Sequence, residues 1–318
     1  MKILFTCIGR RIELLQAYRV AAGKNNIDLK IIGADSSLTA PALFFCDAKV
    51  QCPRISDPGY IPFLIKYCSD NNVDVLIPTI DTDLMLLSEH KNDFKDTRVI
   101  ISSTESIRIC RDKRLTGAFF KEIGLNCPVP IDDYREYNLG FPAFIKPKDG
   151  SSSINAFKVN SREELEALIK IVPDYIIQPY VSGTEYTVDA FCDFDGNPIF
   201  ITPRIRLAVR SGEVLKTRIV QDEKIISDMK KIIEAFKPCG PITVQLIRDD
   251  KTGEDYYIEI NPRYGGGAPL SIKAGADSSD ILLKLLQGEK TGYISGAAED
   301  GATYSRFDQS IRVDIVGE

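Results

Sequence analysis

Residues 256–267 read Tyr-Tyr-Ile-Glu-Ile-Asn-Pro-Arg-Tyr-Gly-Gly-Gly. Within five positions they deliver a carboxylate (Glu259), an amide (Asn261) and a guanidinium (Arg263). The run before Pro262 is apolar and strand-like, and side chains along a strand alternate between faces. Glu259 and Asn261 therefore share a face, about 7 Å apart. Two hard oxygen donors at that spacing suit Mg²⁺ when it also holds a nucleotide's phosphates. Arg263 has the same parity if the strand persists, and can grip an anionic oxygen from that side. The structural alternative is a strand end followed by a surface turn. Gly265–Gly267 fit either reading, as a close backbone approach to phosphate or substrate, or as a plain turn. Gln245 precedes Glu259 by fourteen positions. The Asp249–Gly253 turn folds its strand back beside Glu259, so Gln245 can reach the same ion.

Other candidate groups stand at strand ends. Lys146 closes an apolar strand and runs into Gly150-Ser151-Ser152-Ser153. Such a loop exposes backbone N–H and hydroxyl donors and can close over phosphates. It is not a Walker A motif, and a hairpin turn is the alternative. Gly9-Arg10-Arg11 and Asp35 lie where parallel sheets bind ligands, at the carboxyl ends of strands. Only Gly9 of a Gly-x-Gly-x-x-Gly fingerprint is there, so a dinucleotide site is poorly supported. Arg10 and Arg11 form either a structural turn or a carboxylate or phosphate subsite. Asp81 and Asp83 either cap the next helix or face the same cleft. Arg204, Arg206 and Arg210 line one face if their strand is regular, which requires anions or carboxylates to meet them. His90, the only histidine, sits in a polar stretch and reads as a solvated surface residue. The chemistry must run on carboxylates, lysines, arginines and amides.

The elements that position these groups follow from periodicity. Strands over 3–7, 29–33, 73–77 and 98–101 alternate with helices over 12–23, 57–70 and 81–91. That alternation predicts a parallel, doubly wound sheet. A second unit begins near Ser103 with a helix opening at Arg111-Asp112-Lys113 and ending at Gly124. Strands over 141–146, 156–159 and 175–178, with a helix over 162–171, complete an α/β lobe. A hairpin over 186–194 and 198–209 turns at Asp195-Gly196. Helix 222–236, strand 242–248, the Glu259 strand and helices 268–276 and 279–286 follow, with a last strand-like piece at 310–316.

The 318 residues are enough for two or three lobes, each with its own core. An apolar fraction of 44%, a charged fraction of 27% and a net charge of −5 describe an ordinary soluble protein and argue against a nucleic-acid surface. No apolar run reaches bilayer-spanning length, and the N-terminus reads as a first strand rather than a signal peptide. The eight cysteines are scattered without Cys-x-x-Cys spacing, so reduced thiols and a cytoplasmic location are expected, not a disulfide framework or zinc site.

In this order the motifs resemble the ATP-grasp superfamily, and most closely stand-alone members similar to one synthetase half of carbamoyl phosphate synthase large subunit. The resemblance covers essentially the whole chain. It implies an α/β and α+β organisation: a pre-ATP-grasp, Rossmann-like N-terminal domain (1–103) followed by a two-lobed ATP-grasp domain. Its first lobe would span 104–180 and its second lobe, with the metal site, 181–318. Lys113 and Lys146 match the basic phosphate-contacting positions, with Ser151 and Ser152 in the loop that closes over the nucleotide. Gln178-Pro179-Tyr180-Val181 matches the hinge that reads the adenine edge, although many members carry an acid where Gln178 stands. Glu185 matches the acid that accepts from ribose hydroxyls. Gln245, Glu259 and Asn261 match the metal triad, and Arg210 and Arg263 match positions near the transferred phosphoryl group.

The cofactors so implied are ATP and Mg²⁺ (or Mn²⁺). The implied activity is an ATP-dependent carboxylate–amine (amino acid) ligase working through an acyl phosphate and releasing ADP and phosphate. Its partners would be small-molecule carboxylates and amines, with no nucleic acid and no membrane, and a homodimer stays open. Two alternatives remain: a bicarbonate/carbamate kinase like carbamoyl phosphate synthase, and a non-catalytic ATP-binding regulator. The second synthetase half, allosteric domain and glutaminase signature of carbamoyl phosphate synthase are missing, which makes the first alternative the less expected.

Overall fold

The computed structural model describes residues 1–150 and 154–313. The first elements alternate as β1 (Lys2–Thr6), α1 (Ile12–Lys24), β2 (Lys30–Asp35), β3 (Ala48–Gln51), α2 (Tyr60–Asn71), β4 (Val75–Pro78), α3 (Leu84–His90) and β5 (Arg98–Val99). The five strands form one parallel sheet in the order β3-β2-β1-β4-β5. Ile3, Leu4 and Phe5 are all fully buried, as a strand covered on both faces requires. α1 presents Leu14, Leu15, Tyr18, Ala21 and Ala22 to the sheet at helical spacing. β3 was not legible in sequence, because this edge strand is short, polar and largely exposed.

Two helices, not one, lead out of this sheet: α4 (Thr104–Arg111) and α5 (Lys113–Glu122). They break at Asp112, whose extended backbone (φ −100°, ψ 115°) lets its carboxylate accept from the backbone N–H of Arg114. This N-cap ends one helix and starts the next, and sets Lys113 in the first turn of α5. β6 (Ala143–Pro147), β7 (Phe157–Val159), α6 (Arg162–Leu168) and β8 (Tyr175–Pro179) then build a small antiparallel sheet, β7-β6-β8.

The remaining elements are β9 (Gly183–Cys192), β10 (Pro198–Arg210), β11 (Glu213–Ile219), α7 (Glu223–Phe236), β12 (Gly240–Asp249), β13 (Asp255–Asn261), α8 (Ala268–Lys273), α9 (Ser278–Leu286) and β14 (Thr303–Ser305). Their strands form an antiparallel sheet, β13-β12-β9-β10-β11-β14. The β10–β11 connection is the two residues Ser211 and Gly212, both at positive φ (50° and 77°). That primed turn matches the strand twist, and Gly212 adopts it without strain. The expected strand over 310–316 is corrected: residues 310–313 carry none, 314–316 lie outside the described residues, and the last strand is β14.

Each lobe has a core of its own, around Leu4, Leu64 and Leu87 in the first domain and around Val188, Ile232 and Val244 in the large sheet, but a further core is shared. One continuous core joins Phe5, Tyr18 and Ile31 of the first sheet layer to Phe191, Phe200, Tyr264 and Leu282 of the second lobe. The Tyr18 and Tyr264 hydroxyls hydrogen-bond at 2.9 Å inside it. Lys273–Glu13 (2.6 Å) and Lys24–Asp277 (3.2 Å) ion pairs span the same seam. The small sheet β7-β6-β8 keeps its own cluster around Ile145, Val159 and Ile177. Among the described residues no helix is long and apolar enough to cross a membrane.

Candidate functional site

A cleft of about 290 Å³ opens between the small sheet and the large one. β6 delivers Lys146, the chain leaving β8 delivers Gln178–Val181, and the large sheet delivers Glu185, Arg206, Gln245 and Glu259. Lys113 enters from the start of α5. Groups separated by up to 146 positions in sequence thus face one space. Ser151 and Ser152 lie outside the described residues.

Lys113 donates to the carbonyl of Gly150 at 2.9 Å. Burial lowers its ammonium below the usual lysine range, opposed by Glu259 and Asp149. Lys146 is 7% exposed. Burial, reinforced by the charge of Lys113 and opposed by Glu259, pulls it down to about 8. Two lysines inside one cleft, both of which burial pushes towards the neutral amine, form a site for a polyanion.

The lowered Lys146 value makes a prediction with a definite sign. Folding disfavours the charged form, so the penalty is fully present below pH 8 and vanishes as pH rises towards the ordinary lysine value of about 10.5. A triphosphate beside the ammonium reverses that preference. Nucleotide binding at pH 8.5 is expected to take up a proton, and affinity should fall about tenfold per pH unit above the free lysine's value. Calorimetry in buffers of different ionisation enthalpy measures the uptake, which Lys146→Met should remove.

The β12–β13 hairpin builds the acidic edge of the cleft. Gln245 pairs directly with Glu259 and Thr243 with Asn261. A bulge follows: Leu246 pairs with Tyr257, leaving Ile258 as an extra residue. It re-aims the strand so that both Ile258 and Glu259 reach the cleft. Asn261 Nδ2 donates to Glu259 Oε1 at 3.0 Å. Asn261 Oδ1 and Glu259 Oε2 thereby remain as oxygen donors; Gln245 and Glu259 line this cleft, whereas Asn261 lines an adjoining cavity that shares Glu259. One carboxylate and two amides fit a Mg²⁺ that completes its shell with phosphate oxygens and water.

The three arginines of β10 separate, which corrects the expectation that they line one face. Arg206 pairs with Thr217 across the sheet but Ala208 with Lys216, so Leu207 is an extra residue and parity flips. Val209 therefore lines the cleft alongside Arg206, while Arg210 turns outward to a bidentate contact with Asp308 (2.8 and 3.0 Å). Arg204 is buried against Asp189 at 2.8 Å. Arg206, 8% exposed, pairs with Glu185 at 3.1 Å. Each arginine does meet a carboxylate, and it is Arg206, not Arg210, that lines the cleft. Arg206→Ala should raise the ATP KM about tenfold, as loss of a hydrogen-bonded charge does. Arg210→Ala should change steady-state rates less than about twofold, since its pair is solvent-exposed.

Arg263 does not line the cleft either. Its Nη2 pairs with Asp81, its Nη1 donates to the carbonyl of Tyr264 at 3.3 Å, and its Nε is buried without a partner. The glycine triplet serves packing instead of open access. A Cβ on Gly267 would lie 2.5 Å from Arg204 Nη2, and one on Gly265 would lie 2.9 Å from the Thr243 hydroxyl.

At the hinge, Gln178 Nε2 donates to the Pro128 carbonyl at 2.6 Å. The amide is thereby oriented, and Oε1 is the atom left to accept from a bound base. Tyr180 lies beside Phe144 with the rings tilted by 38° and their centroids 6.5 Å apart, and Lys158 Nζ is 4.3 Å from the Tyr180 ring centre. Glu185 lines the cleft and stays half-exposed.

The first sheet's strand-end residues divide. Asp35 accepts from the N–H groups of Gly9 and Ser37 and holds the loop after β1. Asp83 is fully buried, takes hydrogen bonds from Thr6 (2.7 Å) and Tyr60 (3.0 Å), and burial raises it to about 6. It is a structural core group. Arg10 is exposed and pairs with Glu213 at 3.4 Å. Arg11 is drawn inward to the Thr79 carbonyl (3.2 Å), and burial, then the charge of Arg263, lowers it to about 10. Asp81 faces a second cavity.

A strand-borne acidic edge, the buried Lys146 beside the half-buried Lys113, and a connection between two sheets together form a clasp for a polyanion. The family described as "ATP-grasp domain" matches residues 110–267, and "PylC-like, N-terminal domain" matches residues 3–102. The chain thus carries an ATP-grasp domain behind a PylC-like N-terminal domain. The carbamoyl phosphate synthase large chain of Caldanaerobacter subterraneus subsp. tengcongensis is 27% identical over 229 residues, covering 63% of this chain. The chain spans only 21% of that relative. Among solved structures, the biotin carboxylase domain dimer of Hydrogenobacter thermophilus 2-oxoglutarate carboxylase, in complex with MgADP, ADP and bicarbonate, superposes with a TM-score of 0.75 at 17% identity. It covers 95% of this chain and 73% of that one. An L-amino acid ligase from Bacillus licheniformis superposes at 0.70 with 18% identity, covering 90% and 74%. At these identities the superpositions establish the shared fold.

Proposed function

We propose that the protein is an ATP-dependent ligase that joins a carboxylate to an amine through an acyl phosphate. The observation that carries the reading is the convergence of Lys113, Lys146, Gln245 and Glu259 on one cleft with an oriented hinge acceptor. Gln178–Val181 would hold the base, Glu185 the ribose, and Lys113 and Lys146 the phosphates. Glu259, Asn261 and Gln245 would hold Mg²⁺, which supplies neutralisation of phosphate charge when bound. The division into 1–103, 104–180 and 181–318 and a cytoplasmic location belong to the same reading, the latter supported by eight free thiols.

Phosphoryl transfer needs positioning and charge neutralisation, not a side-chain nucleophile. A carboxylate oxygen of the acid bonds to the γ-phosphorus as the bond to the β–γ bridging oxygen breaks, and ADP leaves with that electron pair. The amine nitrogen then bonds to the acyl carbon, the carbon–oxygen bond to phosphate breaks, and the surplus amine proton passes to phosphate or water. Lys113 and Lys146 would hold the phosphates through the first step, and the walls of the cleft would limit hydrolysis before the second.

An ADP-release screen across amino acids and small acids, with ATP, Mg²⁺ and candidate amines, tests the proposal. ADP formed only with an acid present, and amide formed with the amine, is the expected result. The similarity to carbamoyl phosphate synthase favours a second reading, bicarbonate phosphorylation. ADP release driven by bicarbonate without any amino acid would establish that one instead. Tight ATP binding without turnover on any pair would make the protein a regulator.

A further inference from the structure

A second cavity of about 210 Å³ adjoins the nucleotide cleft. The two share Lys113, Asp149, Gly150 and Glu259, so they meet at the first lysine and the acidic edge. A γ-phosphoryl group held between Lys113 and Glu259 would face this space, and the adenine hinge lies on the other side. A cavity of this size suits a small organic molecule.

The far wall belongs to other parts of the chain. Asp81 comes from the loop after β4, Leu84 from the start of α3, Ile107 and Arg111 from α4, and Pro262 from the end of β13. Asp81 is held rigidly: its Oδ2 pairs with Arg263, and the shared core behind Tyr18 and Tyr264 fixes the first sheet against the second lobe. Its Oδ1 accepts no hydrogen bond from the described residues. Asp149 acts electrostatically on Lys113 without closing an ion pair with a described residue. With Lys113 and Glu259 committed to phosphates and metal, the wall keeps two carboxylates with unspent oxygens, an arginine at the exposed rim and an apolar floor. Arg263 and Arg111 offset much of the carboxylate charge, so a carboxylic acid can enter, while the open oxygens of Asp81 and Asp149 favour one that also carries a cation.

We infer that this cavity receives the acid to be activated, and that this acid is a free amino acid. Its ammonium group sits on Asp81, its carboxylate turns to Lys113 and the Glu259–Asn261 edge, and its side chain lies on Leu84 and Ile107. The inference rests on the ligase reading and adds which substrate is phosphorylated and how it is chosen.

Hydroxylamine intercepts an acyl phosphate as a hydroxamate, so the activated acid can be read without knowing the natural amine. The full chain, with ATP and Mg²⁺, is assayed on the twenty protein amino acids, their N-acetyl derivatives and the desamino acids of the same chain length. Free amino acids are expected to exceed both blocked series at least about tenfold in kcat/KM, the scale of one charge-assisted contact. Asp81→Asn should erase that preference with the ATP KM changed less than about twofold. Equal activation of N-acetyl or desamino acids by the unaltered protein overturns the inference and leaves the ligase reading standing. So does an Asp81→Asn variant that slows all series alike, since that is the signature of a mere partner for Arg263. Absence of hydroxamate from every acid removes both readings together.

Discussion

Glu259→Gln is expected to lower ADP release by about 10²–10³-fold, the scale of removing one preorganised electrostatic group from a phosphoryl-transfer site. The change keeps shape and hydrogen bonding, so the fold should persist: Glu259 is partly exposed and accepts from the Asn261 amide at 3.0 Å. The charge is what disappears. Glu259 supplies the carboxylate among the three proposed metal donors, and it opposes the downward pull on both Lys113 and Lys146. Its removal therefore weakens the metal edge and pushes both lysines further towards the neutral amine. A second readout follows with the same sign. The pH above which nucleotide affinity declines should move below the value found for the unaltered protein. Turnover near the unaltered rate, with an intact cooperative unfolding transition, would refute the metal assignment.

Asp189→Ala is expected to cost about 3–5 kcal/mol of folding stability, because it leaves a buried guanidinium without its counter-ion. Arg204 is 2% exposed and Asp189 5%. Asp189 accepts from Arg204 Nε (2.8 Å), the Ser271 hydroxyl (2.7 Å) and the Thr243 hydroxyl (3.2 Å), while Thr243 Oγ1 accepts from the N–H of Gly265 (3.1 Å). Arg204 Nη1 already lacks a partner, so no spare acceptor stands by. The network ties the chain beyond Asn261 to the large sheet, and its loss should loosen the acidic edge as well as the fold. Denaturant unfolding measures the first effect and the ATP KM the second. A loss below about 1 kcal/mol would mean that the guanidinium escapes to water.

Much of the fold was legible because local chemistry and global fold agree. Apolar runs alternating with amphipathic helices predicted the parallel first sheet, and Asp195-Gly196 and Asp249–Gly253 marked turns that the strands use. The acidic edge was legible for the same reason: strand parity alone puts Glu259 and Asn261 on one face, and the short turn brings Gln245 opposite. β11 escaped notice because the signal for it is the Ser211-Gly212 turn, which reads in sequence as part of an arginine-rich loop.

The sequence by itself determined which residue types are present for chemistry, their order, and the strands that carry most of them. It could not determine which of Arg204, Arg206 and Arg210 serves the cleft, since one bulge at Leu207 reverses the parity on which such a choice depends. Nor could it separate Asp81 from Asp83, two residues apart, of which one faces a cavity and the other lies in the core. The glycines after Arg263 looked like room for a ligand and are room for Arg204 and Thr243. Those outcomes are set by contacts between distant segments, by register shifts and by a core shared across lobes, and none of these leaves a local pattern in the chain.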